Sequence, residues 1–436
     1  MPLASGYTDP VQRVRPQDEA LYSSIAIGMA ERREWLTPRF LGRLSFSKPI
    51  LTFLPAAAAV KIFGQSLWSL RLWQVLCGSG VLVLLWRLQG ASSVLLLASN
   101  VLFFTLTRRF LADIPVLLAL LLTLSLWETR PLGASIALGF GLLTKTASGL
   151  TPLFFLRGNW LRIAGGAALF AAPWNLYQLA VNGEWYWKEH ILDEHLRWGL
   201  NTPENAATEG HIEFYASRAW ALDPLLTLLA PLALGYCLYR KRWVEAGWLG
   251  VSILVLFAFG YRNATYLLPV FAAAALAAGE QVHWSLAALV LGMRLAAGTI
   301  SHAPPEAVPP AAALAQYQQL RRPNGLLIDG MRDELVATTM HLPRVQYLLP
   351  GDMRTLAPTH IDYPGRGIIA PATAYRNRPE PEETVLLVRS PSDLDYLLAR
   401  ATDRDFLLPP GRTAATGDRT VIPSANGWKL VLARND

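Results

Sequence analysis

The sequence predicts a mainly α, polytopic membrane protein that ends in a C-terminal α/β extramembrane domain. Three observations carry this. Charged residues make up 16% of the 436-residue chain, against roughly a quarter in average soluble domains. Hydrophobic residues reach 52% and concentrate in long runs between residues 50 and 300. From residue 301 onward the composition becomes that of an ordinary soluble domain.

The apolar runs fall at about 67–88, 91–107, 112–128, 132–147, 148–157, 161–181, 221–240, 244–260, 265–280 and 284–300. Windows of about 20 apolar residues suit a membrane span, so nine or ten transmembrane helices are expected. The run 148–157 is short and reads as a crossing or a re-entrant piece. Residues 50–64 contain Pro55 and read as an interfacial segment. Residues 1–49 carry no signal-peptide core.

Connections divide by charge. Arg87, Arg130, Arg157, Arg162, Arg240, Lys241 and Arg242 fall on one side, and Arg108, Arg109, Lys145 and Arg262 on the other. The positive-inside rule makes the richer side cytoplasmic. Residues before 67, the 182–220 loop and the C-terminal domain then face outside, provided that 148–157 crosses. This explains the net charge of +7 as topology, and no nucleic-acid partner is expected. Cys77 and Cys237 lie in apolar runs and read as small buried hydrophobes.

The expected organisation is an external catalytic loop with interfacial helices over 1–66, a membrane core over 67–300 and a proline-rich linker over 301–315. A periplasmic α/β domain over 316–436 follows. In it, residues 326–328 and 385–388 read as buried strands, and 331–340 and 392–399 as helices. The aromatic, histidine-bearing loop 182–220 reads as an interfacial helix plus loop.

The ionisable residues at the outer ends of these runs are the site candidates. Asp18 and Glu19 follow Pro16 and read by composition as a solvated helix start. A carboxylate held just above a bilayer also suits a general base. Asp113 opens a run and could cap it; Arg108 and Arg109 precede it. Lys145 ends a run, where a lysine either snorkels or neutralises a phosphate. Lys48, His195, Arg197, His211, Arg262 and Tyr266 fall on the same side. Two carboxylates and several cations at a membrane surface fit a lipid-linked phosphate held by cations and an acceptor hydroxyl activated by a carboxylate.

The order of motifs resembles the GT-C superfamily of polytopic glycosyltransferases, in its protein O-mannosyltransferase and aminoarabinose (lipid A) transferase branch. The resemblance covers about 16–280. It rests on Asp18-Glu19 with Tyr22, Trp35-Leu36-Thr37-Pro38, Phe46-Ser47-Lys48-Pro49, and Phe63-Gly64-Gln65-Ser66 with Arg71. Arg109 with Asp113-Ile114-Pro115, Leu143-Thr144-Lys145, Pro173-Trp174-Asn175, and Arg262 with Tyr266-Leu267-Leu268-Pro269 complete it. The resemblance implies an inverting transfer from a polyprenyl-phosphate sugar to a lipid, glycan or protein acceptor at the external face of a bacterial inner membrane. It implies Asp18 as the catalytic aspartate, Asp113 as the second acidic position, and Lys48 and Lys145 near the donor phosphate. Arg108 or Arg109 would add to phosphate binding; Glu19, His195, Arg197, His211, Arg262 and Tyr266 would be further substrate contacts. No cofactor is expected; a divalent cation shared between carboxylates is compatible but not required. The family has a transmembrane helix ahead of the Asp-Glu element, and only fifteen residues precede Pro16, so that helix is expected to be missing. Thr146 stands where the family has glycine. A non-catalytic lipid-linked-sugar binder and a membrane transporter are the alternatives.

Overall fold

The computed structural model describes residues 17–40, 43–156, 158–197, 210–258, 262–297, 311–322, 324–329, 345–350, 369–371, 385–388, 390–424 and 427–433. Two compact units emerge: residues 1–45, 56–70 and 304–436 form the first, and 46–55 and 71–303 the second. The helix expected over 331–340 lies outside the described residues.

In the first unit, helix α1 (Gln17–Arg32) opens with Asp18 and Glu19 in its first turn and closes on Arg32, charges that complement the helix dipole. A two-residue antiparallel hairpin follows, β1 (Arg39–Phe40) with β2 (Arg43–Leu44), and helix α2 (Leu54–Phe63) comes next along the chain. The 301–436 region carries a seven-stranded sheet in the order β5-β6-β4-β3-β7-β9-β8. Its strands are β3 (Gly325–Asp329), β4 (Val345–Pro350), β5 (Ile369–Pro371), β6 (Val385–Val388), β7 (Arg404–Leu408), β8 (Val421–Pro423) and β9 (Lys429–Val431). β5, β6, β4, β3 and β7 run parallel, and β9 and β8 add antiparallel pairings at one edge. Leu327, Leu386 and Phe406 from the sheet pack with Leu394 and Leu397 of the helix Pro391–Arg400. A helix over Ala311–Leu320 begins directly after Pro309-Pro310. It replaces linker at 311–315, because proline suits a helix start and the alanine-rich run propagates it.

The second unit is helical: the body of α3 (Leu67–Gln89), then α4 (Ala91–Ala98), α5 (Val101–Thr107), α6 (Asp113–Leu126), α7 (Pro131–Gly149) and α8 (Trp160–Asn182). A π-helix over Trp187–Arg197 follows. Then come α9 (His211–Leu222), α10 (Pro224–Tyr239), α11 (Trp243–Ala258), α12 (Leu268–Ala278) and α13 (Trp284–Ala296). Leu132, Leu169, Leu232 and Leu254 on the outward faces of α7, α8, α10 and α11 are each more than two-thirds exposed. These leucines leave apolar surface exposed on four helices of this unit. Among the described residues, α3 is the one unbroken helix long and apolar enough to cross a membrane, and α9 with α10 forms a second candidate bent by 117°.

Two predicted runs are altered. The run 91–107 is two helices, because Ser99 and Asn100 break it and the Asn100 side chain caps α5 by accepting from Phe103 N at 2.8 Å. The run 148–157 is not a helix of its own. Lys145 leaves helical geometry at φ −152° and ψ 83°, and the chain turns back along α7. A Cβ on Gly149 would lie 2.6 Å from the Gly141 carbonyl carbon, so two glycines permit this close return. A 3-10 turn over Thr151–Phe154 continues it, with Leu153 packed against Ala134, Leu138, Ile163 and Ala167.

This return makes α7 and α8 parallel. Ser135 faces Gly166, and four residues further along each helix Gly139 faces Phe170. The end of α8, and with it the π-helix, therefore emerges at the Lys145 end of α7. α6 runs the other way: Leu126 meets Gly133, and Ala119 meets Gly141. Following that register toward the start of α6 brings Asp113 beside Lys145.

Candidate functional site at the ends of α7 and α8

A continuous polar cluster occupies this end of the second unit. Lys145 Nζ donates to Asp113 Oδ1 at 2.8 Å, and its ammonium lies 5.2 Å from the centre of the Tyr266 ring. The carbonyl of Thr144, freed next to the kink, accepts from Thr52 Oγ1 at 2.5 Å. Thr146 Oγ1 stands 3.5 Å from His190 Nε2. His190 Nδ1 is 2.8 Å from the Phe46 carbonyl oxygen; a carbonyl only accepts, so Nδ1 carries the proton. Two residues past Phe46, Lys48 forms an ion pair with Glu194 and donates to Ser47 O at 2.9 Å.

The π-helix that supplies His190 and Glu194 is fastened at its start. The Tyr186 hydroxyl donates to Asn175 Oδ1 of α8, and its ring meets Phe46 edge-on at 5.2 Å and stacks on His190 at 5.1 Å. Burial raises the Tyr186 hydroxyl above its ordinary pKa. π-Helical turns are rare and gather at functional sites. This one turns His190, Glu194 and His195 toward the segment 46–48.

The two histidines are held neutral. Burial, then the neighbouring His195, push His190 down to about 4. Burial and the Lys48 charge push His195 down to about 4 as well. The two rings lie 4.9 Å apart. Neither ring nitrogen of His195 has a hydrogen-bond partner among the described residues, although both are shielded. Buried polar groups are nearly always paired, so His195 offers an uncommitted donor and acceptor beside Lys48.

Lys48, Asp113, Lys145, His195 and Tyr266 thus belong to one assembly. Arg108 and Arg109 are half-buried at the end of α5, four to five residues ahead of Asp113; the Arg108 guanidinium lies 5.0 Å from the Phe104 ring. His211 opens α9, its ring 6.4 Å from that of Phe257. Arg262 is half-buried just before Asn263, whose backbone N–H donates to the Tyr215 hydroxyl at 3.4 Å and whose side chain caps the turn that carries Tyr266. Arg197 ends the π-helix. Asp18 and Glu19 belong to the first unit, where Asp18 is exposed and Glu19 is fully buried.

Sequence reasoning missed several members. Glu194 and His190 lay inside a loop read for its aromatics; the clue was a carboxylate directly beside a candidate histidine. A second polar centre was missed entirely. Asp223, 1% exposed, accepts from Arg294 at 2.6 and 3.0 Å, from Asn100 Nδ2 at 2.8 Å and from Leu226 N at 3.0 Å. Arg294 also donates to Ser99 O at 2.5 Å. This pair pins the break between α4 and α5 to the bend between α9 and α10. Its local signal was Asp223-Pro224, a helix cap followed by proline. Among the described residues, no group of three or more His, Cys, Asp or Glu side chains converges to hold a metal ion.

No protein-family model matches the sequence, and no curated protein sequence does. Two crystal structures of ArnT from Cupriavidus metallidurans match the fold, one bound to undecaprenyl phosphate and one in the apo state. Each shares 14% sequence identity, covers 97% of this chain and 94% of that chain, and superposes with a TM-score of 0.68. The chain therefore shares the fold of these ArnT structures over nearly its whole length.

Proposed function

We propose that this protein is an integral-membrane glycosyltransferase. It takes a sugar from a polyprenyl-phosphate donor and passes it, with inversion, to a hydroxyl of a lipid, glycan or protein at the external membrane face. The observation that carries the reading is the gathering of Lys48 and Lys145 with Asp113 at one end of the helices, in a fold shared with a protein crystallised with undecaprenyl phosphate. The ionisable groups of this cluster stand at helix ends and at the Lys145 reversal, which favours a surface reaction over transport through mid-bilayer sites.

In the proposed reaction, Lys48 and Lys145, with Arg108 or Arg109, neutralise the donor phosphate. The Asp18 carboxylate takes the proton of the acceptor hydroxyl as its oxygen attacks the anomeric carbon. The new carbon–oxygen bond forms on the face opposite the phosphate, the anomeric carbon–oxygen bond to phosphate breaks, and polyprenyl phosphate leaves with the bonding pair. Asp113, hydrogen-bonded to Lys145, holds that lysine in place and either orients the acceptor or supports Asp18. Glu19, His195, Arg197, His211, Arg262 and Tyr266 would supply further substrate contacts.

The test is a transfer assay with purified protein and a panel of polyprenyl-phosphate sugars, with and without chelator. Wild type should transfer one or more of the sugars, and Asp18→Asn should abolish transfer while expressing normally. Near-wild-type turnover by Asp18→Asn would sink the assignment of the base; no transfer from any donor would sink the reaction class.

A further inference from the structure

The Lys48–Glu194 pair carries one step more, and it rests on the proposed phosphate-binding role of Lys48. We propose that Glu194 is a tethered counter-anion that competes with the lipid phosphate for Lys48, weakening the hold on product and so driving its release. Three observations support this. First, Glu194 occupies the lysine with a carboxylate, the charge and geometry of a phosphate oxygen pair. Second, the carboxylate cannot leave: its π-helix is fastened to the Phe46 carbonyl through His190 and to α8 through Tyr186. A tethered group competes at high effective concentration. Third, the pair is accessible enough to exchange, its side chains being 16% and 25% exposed.

The chemistry of the reaction gives this competitor a purpose. The donor is a phosphodiester with one negative charge, whereas the polyprenyl phosphate product is a monoester with a charge of about −1.5 to −2 at neutral pH. Cations alone would hold product more tightly than donor. A carboxylate that returns to Lys48 offsets that bias, and it sits one residue from His195, whose free ring nitrogens lie beside the same ammonium.

The probe is undecaprenyl phosphate, titrated into full-length protein in detergent micelles and followed by tryptophan fluorescence. Glu194→Gln keeps the side-chain shape and removes the competing charge. It should bind the probe about three- to tenfold more tightly than wild type, as fits a pair partly shielded from water. Adding Lys48→Gln should erase that gain. Equal or weaker binding by Glu194→Gln, with wild type binding normally, would overturn the counter-anion and leave the proposed function standing. Absence of binding by both proteins would remove the phosphate site and the counter-anion with it. Thermal unfolding checks that each variant is folded, and Glu194→Ala replaces Glu194→Gln if the latter is not; the same tightening is expected, and its absence is equally decisive.

Discussion

The neutral histidine pair makes stability at mildly acidic pH a direct test of how the site is packed. His190 has an ordinary pKa of 6.5 and is held down to about 4 in the folded chain, first by burial. The unfolded chain therefore binds a proton that the folded chain refuses. Stability attributable to His190 is fully present above the unfolded pKa, falls as pH drops below 6.5, and levels off below about 4. Linkage between those two values gives a loss of about 1.4 kcal/mol at pH 5.5 and about 2 kcal/mol at pH 5. His195 adds a smaller amount, because it is only half-buried and solvent screens its charge. The assay is thermal or denaturant unfolding in detergent at about pH 7.5 and about pH 5.5, comparing wild type with His190→Asn/His195→Gln. Asparagine at 190 still offers an N–H to the Phe46 carbonyl, so the anchor is retained while the titration is removed. Carboxylates contribute the same acid sensitivity to both proteins, and the difference between them isolates the histidines. If both proteins lose the same stability over that interval, the histidines are not held neutral and the site is more open than described.

Asp223→Ala should destabilise the protein by about 2–4 kcal/mol, because the half-buried Arg294 loses its carboxylate partner and α10 loses its cap. Asp223→Leu/Arg294→Met should cost less than Asp223→Ala alone in a chemical-denaturation comparison. Gly149→Ala should cost about 1–3 kcal/mol, since its Cβ would collide with the Gly141 backbone rather than with a movable side chain. Gly235→Ala in α10 meets nothing within 4 Å and should be neutral or stabilising by up to about 1 kcal/mol; equal melting temperatures for these two glycine variants would refute the tight return after Lys145.

Much of the architecture was legible along the chain because it depends on local properties. Long apolar runs with few charges form helices, and Asp113, Lys145 and Arg108 stand at run ends because a charge is costly within one. Asn100 could have been read as a break, since its side chain competes with a helix for backbone groups. The sequence by itself therefore determined the mainly helical class and which charged residues stand at the ends of apolar runs. Only the tertiary structure decided which of them meet. The reversal at Lys145 needs two glycines eight residues apart to touch, and the ion pair of Lys48 with Glu194 spans 146 residues. Arg294 reaches Asp223 across 71 residues and Ser99 across 195. Pairings at such separations are set by helix register and by the demand that buried charges be compensated, and neither leaves a mark on local propensity.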